Sequence, residues 1–417
     1  HGANLIRQLR RQQPGLEAVG YGGPRMAAAG CQLHADLTQL AVMWLARVLL
    51  NLHRFWDLVS QADRYFRHQR PDAVVLIDYP GMNWWIARRA KTHGIPVFYY
   101  GTPQMWAWAG WRVRKMRRLV DHVLCKLPFE PPWYRQRGCQ ATFVGHPYFD
   151  EMQQRSLDTS FIQRQRQQQG PLITILPGSR TQEVVKNLPS FLKAAQHVQA
   201  ACPEVRFAVA SFSQRQAVMA RRMVATKAEL PVEVHHGRTP ELIHLAHSCM
   251  ACSGSVSLEL LYHEKPTVIH YRVSRGFYLF VRLCQRMLQL RVKYITLVNM
   301  LADEPFSSRP RPFDPESAQA EQAVFPEFPT CQDKSEWLAR YLVEWLTDAE
   351  AYQQRIQRLR TIKAKVAHGG ASRTAAGYIL DQLSQRPTKI PRPHFPPQAS
   401  PPRGRARLAM AGAAEAG

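Results

Sequence analysis

A chain of 417 residues, 45% hydrophobic and 21% charged, can bury two separate cores and is neither disordered nor fibrous in character. Lys and Arg number 55 against 31 Asp and Glu, a formal charge of +24, so partners are expected among polyanions: nucleic acid, anionic lipid or phosphorylated ligands. Eight scattered cysteines do not make a disulfide framework and suit a reducing cytosol.

The chain opens at His1-Gly2-Ala3-Asn4-Leu5, already in a helical pattern. An α/β domain should start with a strand and a phosphate-type turn, so an N-terminal piece is expected upstream of His1. Residues 39–56, with Met43, Trp44 and Trp56 among Arg and His, hold more large apolar groups than one buried helix face needs. They read as an interfacial helix or a two-sided core helix. No apolar run reaches the roughly 20 residues of a membrane-spanning helix. Residues 40–59 come nearest but are interrupted by Arg47, His53, Arg54 and Asp57.

Apolar runs at 73–77, 96–100 and 121–124 predict buried parallel strands, with a helix over 84–93 between the first two. Asp78 follows the first run. At a strand's carboxyl end it is either a general base at a cleft mouth or a cap for the next helix. Trp106 and Trp108 follow the second run and either pack in the core or line a pocket. Arg112, Arg114, Lys115, Arg117 and Arg118 follow on a predicted helix, as a solvated basic face or a docking face for phosphate or lipid.

A Gln-rich stretch, 153–170, separates this series from a second one with strands at 172–176, 206–210, 250–252 and 267–271. After the first of these, Pro177-Gly178-Ser179-Arg180-Thr181-Gln182-Glu183 reads as a turn into a helix. Ser179 and Gln182 have capping-box spacing, and Arg180 suits a diphosphate. A capped helix with a surface Arg is the plain alternative. Ser253-Gly254-Ser255-Val256-Ser257-Leu258-Glu259 repeats the strand, small-residue turn and helix start, and Glu259 is a candidate for a ribose diol or a solvent-facing helical residue. Cys249 and Cys252, with His244 and His247 upstream, have zinc or redox spacing, but no second pair completes it, and buried small hydrophobes are the alternative. Residues 302–329 read as a surface insertion loop and 336–365 as helical. The Pro/Arg-rich stretch beyond 386 cannot build a core. The whole is an α/β chain of two doubly wound domains: 1–150, 151–335, helices over 336–385, and a disordered tail over 386–417.

The strings HGANLIRQLR (1–10), GGPRM (22–26), LAVM (40–43), IDYP (77–80), WAW (106–108), LPFE (127–130), VGHP (144–147), LPGSR (176–180), SGSVSLE (253–259) and YITLVNML (294–301) occur in the order found in lipid-A-disaccharide synthases, which the chain resembles from residue 1 to about 385. The resemblance implies a GT-B fold of two Rossmann-like domains facing across a cleft, and an inverting transfer without cofactor or metal. The donor would be UDP-2,3-diacylglucosamine and the acceptor 2,3-diacylglucosamine 1-phosphate (lipid X), giving a β-1,6-linked disaccharide phosphate and UDP.

By the same resemblance, Asp78 is the base on the acceptor 6-hydroxyl. Gly178, Ser179, Arg180, Gln182, Glu183, Gly254 and Ser255 surround the UDP, Glu259 meets its ribose, and Asn299 stands near the donor. Met43, Trp44, Trp56, Trp106, Trp108, Arg112 and Arg114 are assigned to acceptor and membrane. The implied setting is the cytoplasmic face of the inner membrane of a Gram-negative cell, on anionic lipid, with a homodimer allowed and no nucleic acid. Departures from the family pattern are the absent first strand and SGD-type turn, Gly81 where many members carry Asp, the longer stretch after Leu301, and the Pro-rich tail. Within the same fold a muramyl-type transferase or an epimerase is the rival. A nucleic-acid binder would fit the charge but has no recognition motif here.

Overall fold

The structure, a computed structural model, describes residues 1–36, 52–78, 80–107, 109–227, 229–287, 294–303, 313–315, 317 and 320–385. In the first half, β1 (Ala18–Gly22) pairs with β2 (Cys31–Asp36). A four-stranded sheet follows in the order β3 (Val74–Ile77), β4 (Val97–Tyr100), β5 (His122–Cys125), β6 (Ala141–Phe143). The second half builds a six-stranded sheet from β7 (Leu172–Leu176), β8 (Arg206–Ser211), β9 (Val232–His236), β10 (Ser248–Ala251), β11 (Thr267–Arg272) and β12 (Glu327–Thr330), ordered β12-β11-β10-β7-β8-β9. Every pairing among the described residues is parallel.

Parallel strands require crossovers that cover both faces with helices, which is why the inner strands are unbroken apolar runs. β4 (VFYY) and β7 (LITIL) are buried at every residue. The seven expected strands all form, with ends moved by at most two residues. Five others were not expected. β6, β9 and β12 close the edges of their sheets, and their burial is mixed; β1 is Gly-containing and half-exposed throughout. Partial burial of this kind leaves a weak hydrophobic pattern.

Three expectations change here. The stretch 302–329 is not surface loop to its end: Ala323, Val324, Phe325 and Phe328 are buried, and β12 begins at Glu327. The span 336–365 is two helices, Ser335–Thr347 and Ala349–Val366, because Asp348 caps the second by accepting from the amides of Glu350 and Ala351 at 2.9 and 3.0 Å. Asn299, expected near the donor, is a buried tie between segments. It is fully buried; its Nδ2 donates to the Phe325 carbonyl at 2.7 Å and to Glu327 Oε2 at 3.0 Å, while its Oδ1 accepts from the Phe325 amide at 2.8 Å.

Glu327 completes that fastener by accepting from the amides of Ile295 and Thr296 at 2.7 and 3.0 Å. Burial pushes its carboxyl up to about 7, against the opposing pull of those donors. The segment pinned in this way bridges the two halves. Tyr294 and Met300 pack into the core beneath β3–β5, and Val298 into the core beneath β7 and β10.

The last described helix, Ala371–Ser384, returns to the first half. Asp150, in the helix Pro147–Gln154, takes the amides of Gly370 and Ala371 on Oδ1 at 2.6 and 3.0 Å and that of Ser372 on Oδ2 at 2.8 Å. A carboxylate there satisfies orphan N–H groups and meets the positive end of the helix dipole. Ala375, Ala376 and Ile379 then pack on Phe98, Tyr100 and Leu124 of the first sheet.

Asn299→Ala removes the partners of a buried amide and carbonyl and one donor to Glu327. We expect the unfolding free energy in urea to fall by about 2–4 kcal/mol, on the scale of unsatisfied buried polar groups. A variant as stable as the parent would return Asn299 to a ligand-contact role.

Candidate active site

In the second sheet, the strand order read from one edge is β9-β8-β7-β10-β11-β12, so the direction of crossover reverses between β7 and β10. Open α/β sheets bind ligands at the carboxyl ends of strands flanking such a reversal. Here the two ends are in register, Leu176 opposite Ala251. The turns Pro177–Arg180 and Cys252–Ser255 therefore leave the sheet side by side, and each runs into a helix, Thr181–Ala201 or Val256–Tyr262.

The first turn is built for close approach. Gly178 has φ +121°, and a Cβ there would lie 2.5 Å from Glu183 Cβ, so only glycine fits. The cap differs from the expected Ser179–Gln182 pair by one residue: the N-cap is Arg180, whose amide donates to Glu183 Oε2 at 3.1 Å. Ser179 is held instead through its carbonyl, which accepts from Gln216 Nε2 at 2.8 Å. The Arg180 side chain is 81% exposed and rests against Glu183 Oε1 at 3.2 Å, while Gln182 is exposed. A charged fork, small residues and a helix start thus stand together at a solvent-open strand end, a combination suited to a phosphate.

In the second turn Gly254 and Ser255 are exposed, Ser257 Oγ donates to the Gly254 carbonyl at 2.8 Å, and Ser253 Oγ donates to the Ile295 carbonyl at 3.2 Å. Glu259, one turn on, does not face solvent. It is 4% exposed, with Oε2 accepting from Tyr148 at 3.0 Å and Oε1 from Arg155 at 2.7 Å. Burial raises its carboxyl above the usual range, opposed by Arg155 and Tyr148. A ribose diol would have to share this carboxylate with those two side chains.

Asp78 stands at the carboxyl end of β3 with φ +45°, in the left-handed region that costs a non-glycine residue about 1–2 kcal/mol. The surroundings enforce this: its carbonyl accepts from Tyr99 OH and Asn83 Nδ2, both at 2.6 Å. Burial raises the Tyr99 hydroxyl far above its ordinary value, keeping it a donor. The Asp78 carboxylate is 52% exposed and meets Lys126 Nζ at 3.6 Å. Gly101, φ +73°, takes the left-handed conformation at the next strand end, beside the Asp78 carboxylate.

Tyr99, Asn83 and Lys126 were not singled out in the sequence, because each lies on a different element from Asp78. Nearby His146 is buried, and desolvation followed by the Lys126 charge lowers its imidazole to about 3, so it is neutral. Its Nδ1 accepts from the Tyr148 amide at 3.2 Å.

Trp106 is a correction. It is 7% exposed in the first-half core, and its Nε1 donates to Glu130 Oε1 at 3.0 Å. Glu130 is fully buried, and its Oε2 takes the amides of Lys126 and Leu127 at 3.0 Å each. The tryptophan therefore fixes the loop that carries Lys126 rather than lining an acceptor surface. Trp56 is 44% exposed, its ring 4.9 Å from that of Trp85, which is equally exposed. Arg112 closes a 3-10 turn, Gly110–Arg112, ahead of the helix Val113–Leu119, on which Arg114, Lys115, Arg117 and Arg118 are exposed. Met43, Trp44 and Trp108 lie outside the described residues. Cys249 and Cys252 are buried in or beside β10, where desolvation pushes both thiols up to about 12. Among the described residues no group of three His, Cys, Asp or Glu could hold a metal.

Comparison with known proteins gives this geometry its context. A family model described as lipid-A-disaccharide synthetase matches residues 1–360. The lipid-A-disaccharide synthase of Trichlorobacter lovleyi is 33% identical over 390 residues, covering 92% of this chain and 94% of its own. That of Syntrophus aciditrophicus is 36% identical over 305 residues, 72% of this chain and 78% of its own. Among solved structures, an S. aureus MnaA–UDP co-structure aligns with TM-score 0.58 at 10% identity, covering 93% of this chain and 95% of that one. Acinetobacter baumannii MurG aligns with TM-score 0.52 at 14% identity, covering 91% and 95%. At such identities the structural likeness shows the fold alone, which is GT-B, with two Rossmann-like halves. The sequence likeness goes further, and with the motifs seated at the strand ends it establishes that the chain belongs to the lipid-A-disaccharide synthetase family.

Proposed function

We propose that this chain, a GT-B glycosyltransferase of lipid A disaccharide synthesis, holds a UDP-sugar at the paired turns of its second half and uses Asp78 of its first half as the base. The observation that carries the reading is the register of Leu176 with Ala251, which sets two small-residue turns side by side at the crossover reversal. One turn alone is a capped helix; two adjacent ones make a cradle for a diphosphate. The donor we assign is UDP-2,3-diacylglucosamine and the acceptor the 1-phosphate of the same diacylated sugar.

In the reaction, the acceptor 6-hydroxyl oxygen attacks the anomeric carbon from the face opposite the nucleotide. The bond from that carbon to the phosphate oxygen breaks, and UDP leaves with its electrons. The hydroxyl proton passes to the Asp78 carboxylate. Arg180 and the first turn of the helix Thr181–Ala201 meet the charge that grows on the diphosphate. In this reading Lys126 balances the Asp78 charge, while Tyr99 and Asn83 hold its backbone so that the carboxylate projects into solvent.

General-base catalysis contributes about 10²–10⁴-fold, so Asp78→Asn should slow product formation by about that factor with UDP affinity unchanged. Asn also tolerates a positive φ, so the fold survives. Turnover near the parent rate would remove Asp78 from the chemistry. Arg180→Ala should weaken UDP binding by about 1.5–3 kcal/mol, the worth of a hydrogen bond to a charged group. Unchanged affinity by calorimetry would move the diphosphate elsewhere.

The diacylated substrates place the working enzyme at a lipid surface. Among the described residues no helix is long and apolar enough to cross a membrane. Contact through the exposed Trp56–Trp85 pair and the cations of Val113–Leu119 should appear as sedimentation with anionic vesicles, weaker with neutral ones and declining with salt. Equal, negligible sedimentation with both would rule the contact out.

A further inference from the structure

We infer that the helix Arg275–Met287 is a second lipid-contacting surface, by which the half carrying the two phosphate-type turns rests on an anionic bilayer. The motifs of the sequence did not mark this helix. In the structure, Phe277, Leu279, Phe280 and Leu283 are 54%, 66%, 61% and 54% exposed. Singly exposed apolar side chains are ordinary; a contiguous set on one short helix marks an interaction surface. Phe277, Phe280 and Leu283 recur every third residue and Leu279 lies four before Leu283, so all four share one arc of the helix. None of the described helices or strands packs broadly against it.

Charge selects the occupant. From Lys265 to Ala302 the sequence has seven Lys and Arg and no Asp or Glu. An apolar arc in a wholly cationic segment is the pattern of a helix lying in the plane of an anionic lipid surface. A second copy of this chain, at +24, would bring like charge to the same place. The helix has 13 residues, about 20 Å at 1.5 Å per residue, too short for the roughly 30 Å of a hydrocarbon core, so it lies along the surface.

Its position suits a lipid-linked donor. The helix starts three residues beyond the carboxyl end of β11, which neighbours β10, the strand that feeds the second phosphate turn. Tyr294, a few residues after the helix, packs into the first-half core, which also receives Trp84 beside the exposed Trp85. Two contacts, one on each half, would hold the cleft toward the headgroups, where one would leave the protein free to swivel. The inference extends the lipid-surface reading above but rests on different residues.

The test measures hydrogen exchange of the peptide spanning 275–287, and sedimentation, with vesicles of phosphatidylglycerol and phosphatidylcholine against phosphatidylcholine alone. The proteins are the parent, the double variant Leu279→Glu/Phe280→Glu, and Trp56→Glu. Anionic vesicles should slow exchange in the parent helix and in Trp56→Glu. The double variant should partition about tenfold less or weaker still, as loss of buried Leu and Phe side chains implies, with UDP affinity unchanged. The inference is overturned if the helix exchanges equally with and without vesicles, or if the double variant partitions like the parent. It is likewise overturned if that variant dissociates a dimer, by sedimentation equilibrium, while vesicle binding stays intact. Vesicle binding lost only in Trp56→Glu would sink this inference and leave the first-half contact standing.

Discussion

Every strand pairing in the described residues runs parallel, and much of the molecule follows from that constraint. Parallel strands cannot be joined by tight turns, so each is followed by a helix, and all strands of a sheet deliver their carboxyl ends to the same edge. The residues proposed for the chemistry accordingly lie one to four positions past a strand. Asp78 follows β3, Gly178 and Arg180 follow β7, and Gly254 and Ser255 follow β10.

A second device recurs. Four buried carboxylates fasten one segment to another. Glu130 ties Trp106 to the loop of Lys126, Asp150 caps the returning helix, Glu259 holds Tyr148 and Arg155, and Glu327 holds the segment 295–299. Burying a charge is costly unless donors surround it, and here each oxygen meets at least one donor. Several motifs that suggested function by their family likeness are such fasteners. WAW and LPFE meet through Trp106 and Glu130, and YITLVNML meets residues 324–329 through Asn299 and Glu327.

The inner strands, the two phosphate-type turns and the placement of Asp78 were legible because local signals suffice for them: a run of apolar residues, a Pro-Gly turn, a carboxylate after a strand. Edge strands such as β9, with Val232-Glu233-Val234-His235-His236 half-exposed, carry no such pattern. The burial of Asn299 was not legible because its partners, Phe325 and Glu327, are over two dozen residues away. Lys126 and Tyr99 escaped for the same reason, being brought to Asp78 only by sheet order. The exposed arc of Arg275–Met287 was missed because an amphipathic helix looks alike in sequence whether its apolar side faces a core or solvent.

The clamp at Asp150 has a mechanical consequence. The covalent chain passes from the first half to the second near the helix Pro147–Gln154, and comes back at Gly370, where Asp150 grips it. The two passages are thus bolted together at one point, and Tyr148 and Arg155, either side of Asp150, reach to Glu259 of the second half. Joined at Asp150, the two passages carry load as one tie, while the segment with Tyr294, Val298 and Met300 fastens the halves at a second place.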